Sequence, residues 1–247
     1  MPTQSLVEYL KLESISCEVN QHIILLNSVP FSIYFIDKND EITVEELLAL
    51  RQKHQTEFNK LLIFIWWDLW ELKPKIIKSK LFHLLGKSQK IHARKTSIKY
   101  VEKSTAIDFQ LNTHLMIPLT AYKRIGLYLD DELIALGVFA KKRKFRDGTY
   151  SAELLRFCTK NNYHINGGLS KLIKTFSVQH SIDSLMTYVD LDWSNGSKFE
   201  RIGFKTVEKQ PPLYFKLKNN KRVLSTSSNY DIFNVGSLKL ILTLESN

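Results

Sequence analysis

Apolar residues in this chain fall into short runs, and each run is closed by a turn signal. Phe31 to Ile36 and Leu61 to Trp67 are continuous apolar stretches between polar segments, which predicts buried strands. Between them, Thr43 to Phe58 begins with a threonine and carries Glu46 three residues on, the reciprocal pair that closes the first turn of a helix. A strand, helix, strand unit is the result. Pro74 then opens a helix over Lys75 to Leu85, with an apolar stripe at Ile77, Leu81 and Leu84, a lysine face and a stop at Gly86.

The second half has a different rhythm. Gly126 to Ala140 reads as two antiparallel strands turning at Asp130 and Asp131, and Ala152 to Cys158 as a further short strand. Ile165 to Phe176 is a loop holding Gly167 and Gly168 that runs into an amphipathic helix. Ser184 to Val189 is a strand, followed by a polar turn at Asp190, Asp192, Ser194 and Asn195. A short helix with Phe199 and Ile202 on its apolar side ends at Gly203, where a left-handed residue suits glycine. Lys218 to Arg222 reads as a loop and Leu238 to Leu244 as a strand or docking segment.

This order of hairpin, strand, glycine loop, helix, strand and Ser194-to-Phe204 turn resembles the GNAT family of N-acetyltransferases. The resemblance implies a mixed central sheet with flanking helices, acetyl-CoA as cosubstrate and a primary amine as acceptor beside the hairpin. It also implies that backbone amides around Phe157 and Cys158 meet the pantetheine. Amides from Asn166 through Gly167, Gly168, Leu169 and Ser170 would hold the pyrophosphate, with Lys171 adding charge. Leu169 stands where the family pattern has a second glycine or alanine, and His164 where it has a basic or amide residue. Phe199 stands where many members carry a tyrosine that protonates the departing thiolate, and a phenyl ring has no proton to give. The acid is then sought at Tyr188 or Tyr214, and the general base at Glu153, Asp190 or Asp192, carboxylates at strand ends; Asp190 and Asp192 equally suit turn positions.

The run Ile63 to Trp70, the following helix and Leu85 to Ser88 resemble the tail of a very short patch repair or homing endonuclease module. That resemblance implies a small α/β restriction-endonuclease-like module at residues 1–88, ahead of an acyltransferase domain at 89–247, a pairing seen in phage and bacterial proteins. Such nucleases need clustered carboxylates around a divalent metal. Asp37, Asp40, Glu41 and Asp68 supply no such cluster by spacing, so the module reads as degenerate and no metal is expected. Trp66 and Trp67 would face opposite sides of a strand, which sends one of them to a surface outside that module's own core.

Composition narrows the class. The chain has 247 residues, 44% of them hydrophobic, enough for sizeable cores. No apolar run approaches the roughly 18–20 residues of a membrane span, and Met1 to Glu8 lacks the regions of a signal peptide, so a cytoplasmic location is expected. Cys17 and Cys158 read as reduced core thiols.

The net charge of +10 is concentrated. Lys73, Lys75, Lys78, Lys80, Lys87, Lys90, Arg94, Lys95, Lys99 and Lys103 face only Glu71 and Glu102 in the same stretch, and Lys141, Lys142, Arg143, Lys144 and Arg146 make a second cluster. Phosphates are natural counterions for both, which makes nucleic acid a candidate partner, against a plain lysine-rich surface. Two functions therefore stand side by side: an acetyl-CoA-dependent N-acyltransferase, or an inactive basic scaffold that binds nucleic acid.

Overall fold

The computed structural model describes residues 2–27 and 29–244. The chain clusters into two compact units, one of Met1–Pro74, Val189–Ser197 and Glu208–Lys239, the other of Lys75–Tyr188, Lys198–Val207 and Leu240–Asn247. Neither unit is continuous in sequence, so the division differs from a single boundary at residue 88. Three hydrogen bonds explain why distant segments belong together in the first unit. Phe64 N–H donates to the Asp192 carbonyl (2.9 Å), Leu191 N–H to the Gly236 carbonyl (3.1 Å), and Val235 N–H to Asp192 Oδ1 (2.9 Å).

The first unit begins with α1 (Pro2–Leu12), β1 (Cys17–Asn20), β2 (Ile23–Leu26), β3 (Phe31–Ile36), α2 (Val44–Phe58), β4 (Leu61–Trp66) and α3 (Trp67–Leu72). The predicted cap of α2 is present in both directions. Glu46 N–H donates to Thr43 Oγ1 (3.2 Å) and Thr43 N–H donates to Glu46 Oε2 (2.8 Å). Strands β1 to β4 lie in sequence order, antiparallel except for β3 and β4, which the α2 crossover makes parallel.

The tryptophans correct the expectation of opposed faces. Helix α3 starts at Trp67, so the strand alternation stops one residue earlier. Trp66 is buried and meets Phe233 edge-on at 4.9 Å, while Trp67, the first residue of the helix, is half-buried with the Lys38 ammonium 5.3 Å over its ring.

Further along come α4 (Pro74–Leu84), β5 (Gln89–His92), β6 (Ser97–Tyr100), α5 (Lys103–Thr113), β7 (Lys123–Leu129), β8 (Glu132–Phe139), β9 (Arg143–Lys144), β10 (Tyr150–Thr159), β11 (Tyr163–Asn166), α6 (Gly168–His180), β12 (Ser184–Asp190), α7 (Ser197–Glu200) and β13 (Lys205–Gln210). The chain ends with β14 (Tyr214–Lys218), β15 (Lys221–Ser225), β16 (Ile232–Phe233) and β17 (Ser237–Thr243). The stretch expected as a loop at Lys218 to Arg222 is instead a hairpin. Asn219 and Asn220 take φ of 49° and 58°, the left-handed pair that a tight two-residue turn requires. Leu238 to Leu244 falls largely on β17, a sheet strand.

The central mixed sheet runs β13-β17-β12-β10-β8-β7-β6, with β9 added on β10. Strand β8 shows how its two faces are covered. Leu136 and Val138 join Val101 and Ala106 in a core under α5, while Phe139 on the other face stacks on Phe176 of α6 at 4.2 Å. Gly137, on that second face, leaves the room that α6 needs, since a Cβ there would meet the Phe139 ring at 2.8 Å and Leu172 at 3.4 Å. Strand β11 pairs in parallel with β5 where a loop was expected from Ile165 on; the strand is only four residues long, so its Tyr163–Ile165 alternation is too short to announce it.

Candidate active site

The site begins where two parallel strands part. β10 and β12 are in register from Ser151 opposite Ser184 to Leu154 opposite Thr187, and Thr187 Oγ1 closes the paired stretch by donating to the Leu154 carbonyl (2.9 Å). Beyond that point β10 continues to Thr159 paired with β8, and a bulge between Leu154 and Arg156 shifts its register. Lys160 N–H donates to Ile134 O on the β8 side (2.8 Å). By alternation the backbone of Cys158 turns toward β8 as well, and that of Phe157 turns into the gap beside β12.

Glu153 and Tyr188 share one face of this sheet. Leu154 pairs with Phe139 and so points to the α6 side, which turns its neighbour Glu153 to the opposite side. Met186 is the register partner of Glu153, and Tyr188 lies two residues further on the same face, 43% exposed and just past the last paired residue. Diagonal neighbours of this kind lie about 7–8 Å apart at Cα. Partial burial raises the Glu153 carboxyl above its ordinary value, opposed by the Arg143 and Arg156 guanidiniums.

Arg156, which the sequence analysis passed over, sits in the bulge. Its Nη1 donates to Leu155 O (2.7 Å) and its Nη2 reaches Ile117 O (3.4 Å). A lone arginine inside an apolar strand was the available signal.

The other catalytic candidates serve the backbone. Asp190 Oδ1 accepts the Asp192 N–H (2.9 Å) in a tight turn. Asp192 is buried, and burial first, then the Asp190 charge, pushes its carboxyl well above the ordinary range. Tyr214 lies 4.9 Å from Tyr230 and 6.4 Å from Phe233, in an aromatic cluster of the first unit. Cys158 is buried and its thiol is pushed up to about 12, chiefly by that burial, so it stays protonated.

At the glycine loop, Gly167 takes φ +75°, and no side chain caps the α6 N-terminus that follows. The first helical bond runs from Lys171 N–H to Gly167 O (3.0 Å), so the amides of Gly168, Leu169 and Ser170 belong to the turn that has no intrahelical acceptor. The two glycines differ in purpose. A Cβ on Gly167 would meet only Ala93 Cβ at 3.8 Å, whereas one on Gly168 would strike Ile165 at 2.9 Å. Gly168 therefore serves packing, and Gly167 serves a left-handed backbone with space above it. Lys171 departs from its expected role: its ammonium donates to Ala93 O (2.9 Å) and to Thr96 O, tying α6 to the 93–96 turn. Beside the loop, the His164 ring of β11 packs at a tilt of 44° against His83 of α4, with ring centroids 4.7 Å apart.

The basic residues are unequal. Lys75, Lys87, Lys90, Arg94 and Lys95 are exposed, as are Lys141, Arg143 and Lys144, while Lys78 and Lys80 are half-buried. Lys73 is half-buried beside Arg222 and Asp68, and burial lowers its basicity. Lys142 donates to His180 O (2.7 Å) at the end of α6 and lies 4.4 Å over Tyr150. Among the described residues, no group of three or more His, Cys, Asp or Glu converges to hold a metal, and no helix is long and apolar enough to cross a membrane.

No family model and no curated protein matches the chain. Several solved structures are similar to part of it. An Elizabethkingia anophelis GNAT family acetyltransferase with acetyl-CoA bound is 13% identical at a TM-score of 0.42, covering 61% of this chain and 99% of its own. The ribosomal-protein-S18-alanine N-acetyltransferase of Escherichia coli gives 14% and 0.41, covering 62% and 96%. A Bacillus subtilis acetyltransferase in complex with CoA gives 17% and 0.43, covering 61% and 100%.

Proposed function

We propose that this protein is an N-acyltransferase of GNAT type that uses acetyl-CoA and a primary-amine acceptor. The observation that carries the reading is the parting of β10 and β12 after Leu154 and Thr187, with a carboxyl and a phenol on one face at its edge. A free strand edge offers backbone groups spaced for an extended amide chain such as pantetheine, and the uncapped start of α6 behind a left-handed Gly167 offers amides for phosphate. These residues fit the cosubstrate. Phe157 would meet the pantetheine and the amides of Gly167, Gly168, Leu169 and Ser170 would meet the pyrophosphate, whereas Asn166, expected to join them, is the last residue of β11 and pairs with His92 of β5.

Bound acetyl-CoA supplies an acetyl thioester, whose C–S bond breaks as the amine nitrogen forms its bond to the acetyl carbon. Glu153 takes the proton that the attacking ammonium must lose. Burial raises its carboxyl above the ordinary range, which makes it a stronger base for that transfer. Tyr188 Oη returns a proton to the leaving sulfur, in place of the group that Phe199 lacks.

The test is a thermal-shift titration with acetyl-CoA, followed by release of free thiol with a panel of primary amines. A ligand that binds only the folded chain raises its melting temperature by mass action. No shift at millimolar acetyl-CoA overturns the reading.

A further inference from the structure

Three basic side chains from three separate elements meet beside the glycine loop, and among the described residues none of them forms an ion pair with a carboxylate. Lys198 of α7 places its Nζ 3.1 Å from His83 Nε2 of α4, and the His83 ring packs at 44° on His164 of β11. His164 stands three residues before Gly167, about 10 Å of extended chain. The groups that face them are basic too. His83 is lowered to about 4 by burial, Lys198, His164 and Lys80 in that order. His164 is lowered by burial, Lys198 and Lys90, against one supporting hydrogen bond with Asn166, and Lys198 is lowered by burial and Arg201. Both imidazoles are thus neutral at pH 7, and His83 accepts a hydrogen bond from the Lys198 ammonium.

Burial first, and then the neighbouring positive charges, hold both imidazoles neutral, while the Lys198 ammonium lies at the exposed edge of the cluster. A bound dianion would offset the mutual repulsion of these groups, leaving only the cost of their burial. We propose that His83, His164 and Lys198 form a proton-coupled site for a phosphate monoester, and that it takes the ribose 3′-phosphate of coenzyme A. The assignment rests on the acyltransferase reading, since the glycine loop then holds the diphosphate and this cluster lies a short extended segment away. The phosphate oxygens accept hydrogen bonds from Lys198 Nζ and from imidazole N–H groups, and the imidazoles take up protons from solvent as the dianion arrives. Binding should therefore strengthen as pH falls from 8.5 to 6.

The experiment is isothermal titration of the full chain with coenzyme A and with dephospho-coenzyme A, which lacks only the 3′-phosphate. It is run at pH 6, 7 and 8.5 in buffers of different ionisation heat. Coenzyme A should bind more tightly by about tenfold or more at pH 6, as charge-assisted hydrogen bonds warrant. It should take up protons that the dephospho compound does not, and the preference should shrink toward pH 8.5. In the wild-type protein, imidazole C–H resonances followed by NMR should show two pKa values rising with coenzyme A only. In His83→Gln with His164→Gln, the preference should become small and independent of pH. Equal binding of the two ligands at every pH overturns this inference and leaves the acyltransferase reading in place. Failure of both to bind at millimolar concentration overturns that reading and this one together.

Discussion

Arg222 forks onto Asp68: Nε lies 2.7 Å from Oδ2 and Nη2 2.6 Å from Oδ1, across 154 residues of sequence. The side chains are 13% and 1% exposed, so the pair is nearly out of water. Removing one partner strands the other's charge in the interior. Asp68→Ala or Arg222→Ala should therefore cost about 3–5 kcal/mol, while Asp68→Leu combined with Arg222→Met should recover most of it. Urea denaturation of the three variants measures this. Equal stability of Asp68→Ala and the parent would show the pair to be idle.

Asp192 gives the first unit a pH signature. Its carboxyl is raised in the folded chain, so the fold binds its proton more tightly than the unfolded chain does. The resulting stability is complete below the unfolded value near pH 4 and is lost as pH rises through the folded value. Asp192→Asn keeps an oxygen for the Val235 N–H and has no charge to bury. Its stability relative to the parent should rise with pH above about 4, read from melting temperatures between pH 4 and 8. A constant difference across that range would mean that Asp192 does not titrate as argued.

Glu153 and Tyr188 separate in their effects. Glu153→Gln should lower kcat by about 10²–10⁴ while leaving acetyl-CoA affinity within about twofold, and it should abolish the acid limb of the kcat/KM profile. That limb belongs above the ordinary carboxylate value because burial raises Glu153. Tyr188→Phe should lower kcat with little change in acetyl-CoA affinity. A Glu153→Gln enzyme with the parental pH profile would send the search for the base elsewhere.

The local features are legible in the amino-acid sequence itself. The α2 cap at Thr43 and Glu46, the hairpin turning at Asp130 and Asp131 and the stop at Gly203 depend on neighbours within a few residues, so the sequence carries them locally. The face shared by Glu153 and Tyr188 depends on strand register, which no local pattern states, although both residues stood out as polar groups on strands. The compact units were hidden for the same reason, since hydrogen bonds between residues 64, 192 and 235 leave no mark in local composition. Lys171 misled because a lysine in the first turn of a helix looks free in sequence, whereas the 93–96 turn supplies it with carbonyls.

The two loop glycines give the sharpest contrast. Gly167→Ala places a Cβ in open space but at φ +75°, which costs roughly 1–2 kcal/mol and moves the loop amides off their present directions. Gly168→Ala has an allowed backbone and a Cβ 2.9 Å from Ile165, so its cost is a packing cost within the second unit. Gly167→Ala should weaken acetyl-CoA binding by about tenfold or more relative to its modest effect on melting temperature. Gly168→Ala should lower the melting temperature more than it weakens binding at a temperature where the chain is folded. Calorimetric melting and acetyl-CoA titration of both variants decide it, because a site that does not use the loop amides would lose affinity in neither.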